Sequence, residues 1–217
     1  MDHLRTVIIH GKKAHADESS PRKGREYAEL WTGYMGGHED WTRRFDPHPV
    51  EHCAHYPDGI KGRRPEVWET YKALPAGPRP VYLLGPHAEV PASFGYPLEF
   101  VQNKLGMVPC KRLTCTVDMQ IALALAEGKE HIILHNIGLI TDDWETTALN
   151  PEWQMRHKGI LYWIGLAEER LRLSGFHTPV TIEGDSIFAP QKKVYGFETC
   201  GRDFSVVQRR YFTKGRK

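Results

Sequence analysis

At 217 residues the chain can fill one hydrophobic core but is short for two, since domains run to about 100–200 residues. Hydrophobic residues at 40% and charged residues at 26% match globular proteins, which excludes collagen-like, coiled-coil and disordered chains. The 29 Lys and Arg against 27 Asp and Glu leave a formal charge of +2, so any nucleic acid would be held by a local patch and not by the whole surface.

The first apolar run, Thr6 to Ile9, is rich in β-branched residues and leads into His10-Gly11-Lys12-Lys13, the pattern of a buried strand entering a loop. His15 to Arg25 is polar, with Ser19, Ser20, Pro21 and Gly24, and reads as a loop before the short segment Glu29-Leu30-Trp31-Thr32. Aromatic and basic residues then alternate with Pro, so a loop-rich insertion is expected around 35–65. Pro65 to Leu74 has helical spacing, with Val67, Trp68, Tyr71 and Leu74 on one side and Pro65 suited to the first turn.

Beyond residue 79 the pattern is more regular. Pro80 to Leu84 predicts a strand, and Pro97 to Leu105 a helix closed by Gly106. Val117 to Glu127 is an almost wholly apolar helix followed by the strand His131 to Leu134; helix Leu161 to Leu173 and strand Pro179 to Ile182 repeat the unit. Successive helix–strand units after earlier strands predict an α/β, Rossmann-like three-layer fold with a mainly parallel sheet, in a single domain 1–217 with a basic, aromatic C-terminal tail at 199–217.

Cys53, Cys110, Cys115 and Cys200 form no C-x-x-C pair, so neither a zinc ribbon nor a disulfide scaffold is expected, and a reducing cytoplasm is the simplest setting. The N-terminal apolar run is only Val7 to Ile9, and no stretch approaches the ~20 apolar residues of a membrane span, so no membrane association is expected.

In open parallel sheets, ligands bind beyond the carboxyl ends of the strands. That rule selects Gly11, Lys12 and Lys13, then Gly85-Pro86-His87, Asn136-Ile137-Gly138 and Glu183-Gly184-Asp185-Ser186, while Thr114 and Thr116 stand at the start of the apolar helix, where an anion could bind. The same threonines could simply cap the helix, and the glycines turn corners. No G-x-G-x-x-G or P-loop sequence is present. His48, His52 and His55 have the spacing of metal ligands only if they lie on a helix, and Asp142-Asp143 could meet Mg²⁺ from a loop; no metal is assigned. Glu152 and Arg156, beside Trp153, His157, Tyr162 and Trp163, would suit a ligand bearing a ring or a phosphate. The tail interleaves Arg202, Arg209, Arg210, Lys214, Arg216 and Lys217 with Phe204, Tyr211 and Phe212, which could contact nucleic acid or form a docked strand with solvated charges.

The series Trp31-Thr32-Gly33-Tyr34, Trp41 with Arg44-Phe45 and His48-Pro49, Tyr96-Pro97-Leu98-Glu99, Thr114-Cys115-Thr116, Glu152-Trp153 with Arg156, Tyr162 to Ala167, and Tyr195-Gly196-Phe197-Glu198 resembles a group of uncharacterised phage-encoded Rossmann-like proteins. That group is distantly similar to archaeal-type 6-hydroxymethylpterin diphosphokinases and to sialyltransferase-like nucleotide-binding folds. Two loops depart from it: His10-Gly11-Lys12-Lys13-Ala14 replaces a Gly-x-Gly-Pro-Ser loop, and Asn136-Ile137-Gly138-Leu139 replaces Gly-Val-Asp-Met.

The resemblance implies a nucleotide- or nucleotide-sugar-binding transferase, moving a glycosyl or phosphoryl-type group in phage nucleic-acid or nucleotide modification, with Mg²⁺ as a potential companion and the host cytoplasm as its setting. Gly11, Lys12, Lys13, Thr114, Thr116, Asn136, Arg156 and Ser186 would hold the ligand, with His48 and Glu152 as acid–base candidates. The alternatives are a non-catalytic accessory or counter-defence nucleotide binder, a nucleoside deoxyribosyltransferase-like enzyme suggested by Val81 to Pro86 with Glu89, and a virion component.

Overall fold

The computed structural model describes residues 5–11, 19–33, 38–47, 65–106, 113–137, 151–176 and 180–184. In chain order these form β1 (Thr6–His10), β2 (Glu29–Gly33), β3 (Arg43–Phe45), α1 (Pro65–Lys72), β4 (Val81–Leu83), β5 (Ser93–Gly95), α2 (Leu98–Leu105), α3 (Thr116–Ala126), β6 (His131–His135), α4 (Pro151–Leu173) and β7 (Val180–Glu183). The strands make one sheet in the order β5-β4-β3-β2-β1-β6-β7, and every pairing is parallel. The chain thus has an α/β, Rossmann-like fold. Among the described residues no helix is long and apolar enough to cross a membrane.

A parallel sheet needs cover on both faces, and alternate residues divide the core between them. Val7, Ile9, Trp31, Phe45, Ile132 and Leu134 pack against Val101 and Leu105 of α2, Ile121 to Ala124 of α3, and Ile160, Trp163, Ala167 and Leu171 of α4. On the other face Ile8, Leu30, Val81, Leu83 and Ile133 meet Trp68 and Tyr71 of α1, with Trp41 and Val90. All five residues of β1 are buried, because β2 and β6 flank the strand and the two core clusters cover its faces. Gly106 ends α2 in the left-handed conformation, at φ 62°, and its N–H bonds Gln102 O at 3.0 Å.

Three elements differ from the sequence expectation. β3 lies inside the segment read as a loop-rich insertion; its Arg-Arg-Phe sequence has no apolar alternation, yet its arginines are absorbed by rings and carboxylates. β5 spans only Ser93–Gly95, too short to carry a period. α4 begins at Pro151 and not at Leu161, because Gln154, Met155 and Lys158 are exposed and Gly159 weakens the helical signal.

The amino edge of the sheet is tied by charge. Arg43 bonds Glu29 at 2.9 Å and Glu127 at 2.5 Å, and Lys129 also bonds Glu29. Trp31 Nε1 donates to Glu29 Oε2 at 2.8 Å, and Arg43 and Lys129 both stand over the Trp31 ring. Burial works against charge on Glu29, but Lys129, Trp31 and Arg43 outweigh it and hold the carboxyl below its ordinary pKa. A depressed carboxylate stabilises the fold above its unfolded pKa, and that contribution is lost as pH falls through the folded value. Glu29→Gln is therefore expected to cost about 1–3 kcal/mol at pH 7. The deficit relative to wild type should shrink as pH falls below the ordinary glutamate range, as followed by urea unfolding across pH.

Candidate functional site at the carboxyl edge

The chain leaves β1 toward β2, whereas the strand on the other side of β1 is β6, reached only after β5. In open parallel sheets such a reversal marks where ligands bind, which here falls at the carboxyl ends of β1 and β6. Register places His10 opposite both Thr32 and His135, Thr32 opposite Arg44, and His135 opposite Glu183. Paired positions in a parallel sheet share a face, so Glu183, His135, His10, Thr32 and Arg44 form one polar row, on the same face as Ile8 and Leu30.

Within that row the Nδ1 atoms of His10 and His135 are 3.0 Å apart. The His38 ring meets His10 edge-on, with centroids 4.9 Å apart. Arg25, from the segment before β2, forks onto Glu183 with bonds of 2.8 and 3.0 Å. Arg44 lies 4.7 Å over Trp41, and burial lowers its pKa from the ordinary value. Among the described residues, no group of three or more His, Cys, Asp or Glu side chains is arranged to hold a metal ion.

Backbone contacts lock the loop after β6. Gly11 N–H donates to His135 O at 3.1 Å, and a Cβ on Gly11 would stand 2.8 Å from Ile137 Cδ1. Asn136 adopts φ 50°, a left-handed conformation that Asn tolerates better than most residues, and its N–H donates to Glu183 O at 3.0 Å. A Cβ on Gly184 would overlap Asn136 Oδ1 at 1.9 Å, so glycine is required there by space as well as by its φ of 67°. Gly11 and Asn136, both chosen from sequence, thus stand side by side at the carboxyl ends of β1 and β6.

Thr114, Thr116 and Arg156 lie near the start of α3. The short turn from α3 into β6 sets the helix antiparallel to the strands, so its N-terminus lies at the carboxyl edge, on the face opposite the histidine row. The helix start already holds an anion: Asp118 Oδ2 accepts from Thr114 N–H at 2.8 Å and Thr114 Oγ1 at 2.6 Å. Thr114 Oγ1 also lies 3.3 Å from Met155 O of α4. Burial drives the Asp118 carboxyl up to about 6 despite the Thr114 and Cys115 donors, and Asp118 Oδ1 is buried with no hydrogen-bond partner among the described residues. The Cys115 thiol is pushed up to about 12 by burial and then by Asp118, so it stays protonated at neutral pH and is no nucleophile.

Lys12, Lys13, His48, His52, His55, Asp142, Asp143 and Ser186 lie outside the described residues, as does the tail at 199–217. Glu152 falls in the first turn of α4, with its side chain outside the description. His10, His38, His135 and Asp118 were not among the residues selected from sequence. The usable signal was that His10 and His135 each end a strand after three apolar residues, a place where an aliphatic residue is expected. No protein-family model, curated protein or solved structure matches the chain.

Two predictions test the α3–α4 contact. A Cβ on Gly159 would come 2.2 Å from Thr114 Oγ1 and 2.5 Å from Asp118 Oδ2. Gly159→Ala, ordinarily favourable within a helix, should instead destabilise by about 1–3 kcal/mol in urea unfolding. A carboxyl whose folded pKa is raised contributes most below its unfolded pKa, and that contribution is lost as pH rises through the folded value. Between pH 4 and 7 the wild type should therefore lose roughly 2–3 kcal/mol relative to Asp118→Asn, read from paired thermal melts.

Proposed function

We propose that the carboxyl edge of the sheet at β1 and β6 holds a nucleotide or nucleotide-linked donor and that the protein is a transferase of glycosyl or phosphoryl-type groups, acting in phage nucleic-acid or nucleotide modification. The observation that carries this reading is the reversal of strand order at β1, with Gly11, His135 and Asn136 brought together beside it. Open parallel sheets bind ligands at such a point. Lys12 and Lys13 follow Gly11 directly in the chain and supply charge where a glycine-rich loop would supply amides. Thr114 is engaged by Asp118, so the phosphate reading rests on the lysines more than on the start of α3. Glu183 is engaged by Arg25, so a Mg²⁺ accompanying the donor would draw on phosphate oxygens.

A non-catalytic nucleotide binder is the second reading, favoured by the loop after β6. Ile137 is buried in the core, and Gly138 stands where the resembled group carries an acid.

Titration calorimetry with nucleoside diphosphates and nucleotide sugars tests both readings. Replacing Lys12 and Lys13 together by Ala should weaken binding by ~1.5–3 kcal/mol without changing stability. Failure of every nucleotide to bind wild type would overturn both readings. Binding without turnover would select the second.

A further inference from the structure

We infer that a cleft at the amino edge of the sheet is a second ligand site, in which Arg22 and Arg79 hold a phosphate group. The site is independent of the transferase reading, which concerns the opposite edge.

The cleft has a volume of about 370 Å³, within the range of small-molecule sites, and is lined by Arg22, Asp40, Trp41, Thr42, Pro78 and Arg79. Trp41 and Thr42 lead into β3 and Arg79 leads into β4, and because these strands are parallel both approaches lie at the amino edge. Thr42 N–H donates to Leu30 O at 2.8 Å and Arg44 N–H to Pro80 O at 3.0 Å, which fixes the two approaches against the sheet.

Both guanidinium groups are held by main-chain carbonyls. Arg79 Nε donates to Trp41 O at 3.0 Å and its Nη2 to Glu39 O, with the guanidinium 4.2 Å over the Trp41 ring. Arg22 Nη1 donates to Asp40 O at 3.0 Å and Nη2 to Glu26 O at 2.6 Å. Three consecutive carbonyls, those of Glu39, Asp40 and Trp41, thus pin two guanidinium groups that face one cleft. A carbonyl orients a guanidinium without neutralising it, and each group has five N–H donors. Among the described residues Arg79 forms no ion pair and its Nη1 no hydrogen bond. The Arg22 ion pair with Asp40 is stretched to 4.0 Å, and Asp40 Oδ2 already accepts from Ser20 Oγ at 2.6 Å. Glu26 turns its carboxylate to the Gly24 N–H.

Like charge therefore gathers at the cleft. Arg44 stands 4.7 Å over the same Trp41 ring, and its pKa is lowered by burial first and also by the neighbouring charge of Arg79. An oxyanion between Arg22 and Arg79 offsets that repulsion. A phosphate group has oxygens enough to accept from both forks at once. Trp41 is only 5% exposed and carries cations over its ring, so it offers no free surface on which a base could stack. Asp40 repels a bare dianion but can accept from a hydroxyl, which favours the phosphate of a sugar or polyol over free phosphate.

Proton–nitrogen spectra of the ¹⁵N-labelled full chain, recorded at constant ionic strength, test the site with inorganic phosphate, ribose 5-phosphate and ribose as probes. Ribose 5-phosphate is expected to move the Trp41 indole signal and the Nε signals of Arg22 and Arg79, inorganic phosphate to do so more weakly, and ribose to leave them in place. Arg79→Gln and Arg22→Gln should each weaken both phosphates by about tenfold or more. Asp40→Asn, which keeps an oxygen for Ser20, should tighten inorganic phosphate severalfold, a gain that damage to the fold does not produce. The double change of Lys12 and Lys13 to Ala should leave all three signals responding as in wild type.

No shift of these signals by either phosphate overturns the inference, whatever nucleotides do at the opposite edge. Phosphate binding that survives Arg79→Gln but is lost with Lys12 and Lys13 also overturns it, and places the anion with the transferase reading instead. Inorganic phosphate binding as tightly as ribose 5-phosphate supports the oxyanion site and overturns its extension to a sugar. If either arginine variant fails to fold, the wild-type shifts and the response of Asp40→Asn decide.

Discussion

Both ladders of β1 are parallel, and that arrangement constrains the rest of the fold. A strand with parallel partners on both sides cannot be reached by tight hairpins, so its neighbours come from distant parts of the chain. Its faces must both be apolar, which Val7, Ile8 and Ile9 satisfy at zero exposure. With β2 on one side and β6 on the other, the order of strands reverses at β1. The helices on either face complete the burial that the parallel ladder requires.

The two edges of the sheet treat polar groups in opposite ways. At the amino edge Arg43, Lys129, Glu29 and Glu127 close a mixed-charge network in which each group has a partner of opposite sign. At the carboxyl edge Arg25 and Glu183 pair in that manner, and the centre of the row is imidazole. Fixed opposite charges stabilise geometry, whereas imidazoles can change protonation near neutral pH. The edge that topology marks for ligands is also the edge whose row centres on histidine.

Elements with several consecutive apolar residues were legible in the sequence. The β-branched run of β1, the alanine-rich α3 and the His131 to Leu134 strand carry their burial in composition. β3 was not legible, because Arg43 and Arg44 are accommodated only by partners distant in the chain, Glu127 and Trp41 among them. The candidate site was legible in part: topology pointed to Gly11 and Asn136, since glycine and asparagine mark a strand ending in an unusual turn. The histidine couple was not, because His10 and His135 meet only through the β1–β6 register. Asp118 was not singled out in the sequence; its burial depends on Gly159 letting α4 approach.

The long separation between β1 and its second partner bears on synthesis. His10 and His135 are 125 positions apart in the chain, so at about 5–20 residues per second β1 emerges roughly 6–25 seconds before β6. During that interval a growing chain can assemble β1 to β5 as a partial sheet, with one side of its most apolar strand open. That open side is a template for strand addition from another nascent chain, and a natural point for chaperone capture. Arrival of β6 closes it and, in the same step, brings His135 to His10, so the histidine couple first forms when the exposed strand is sealed.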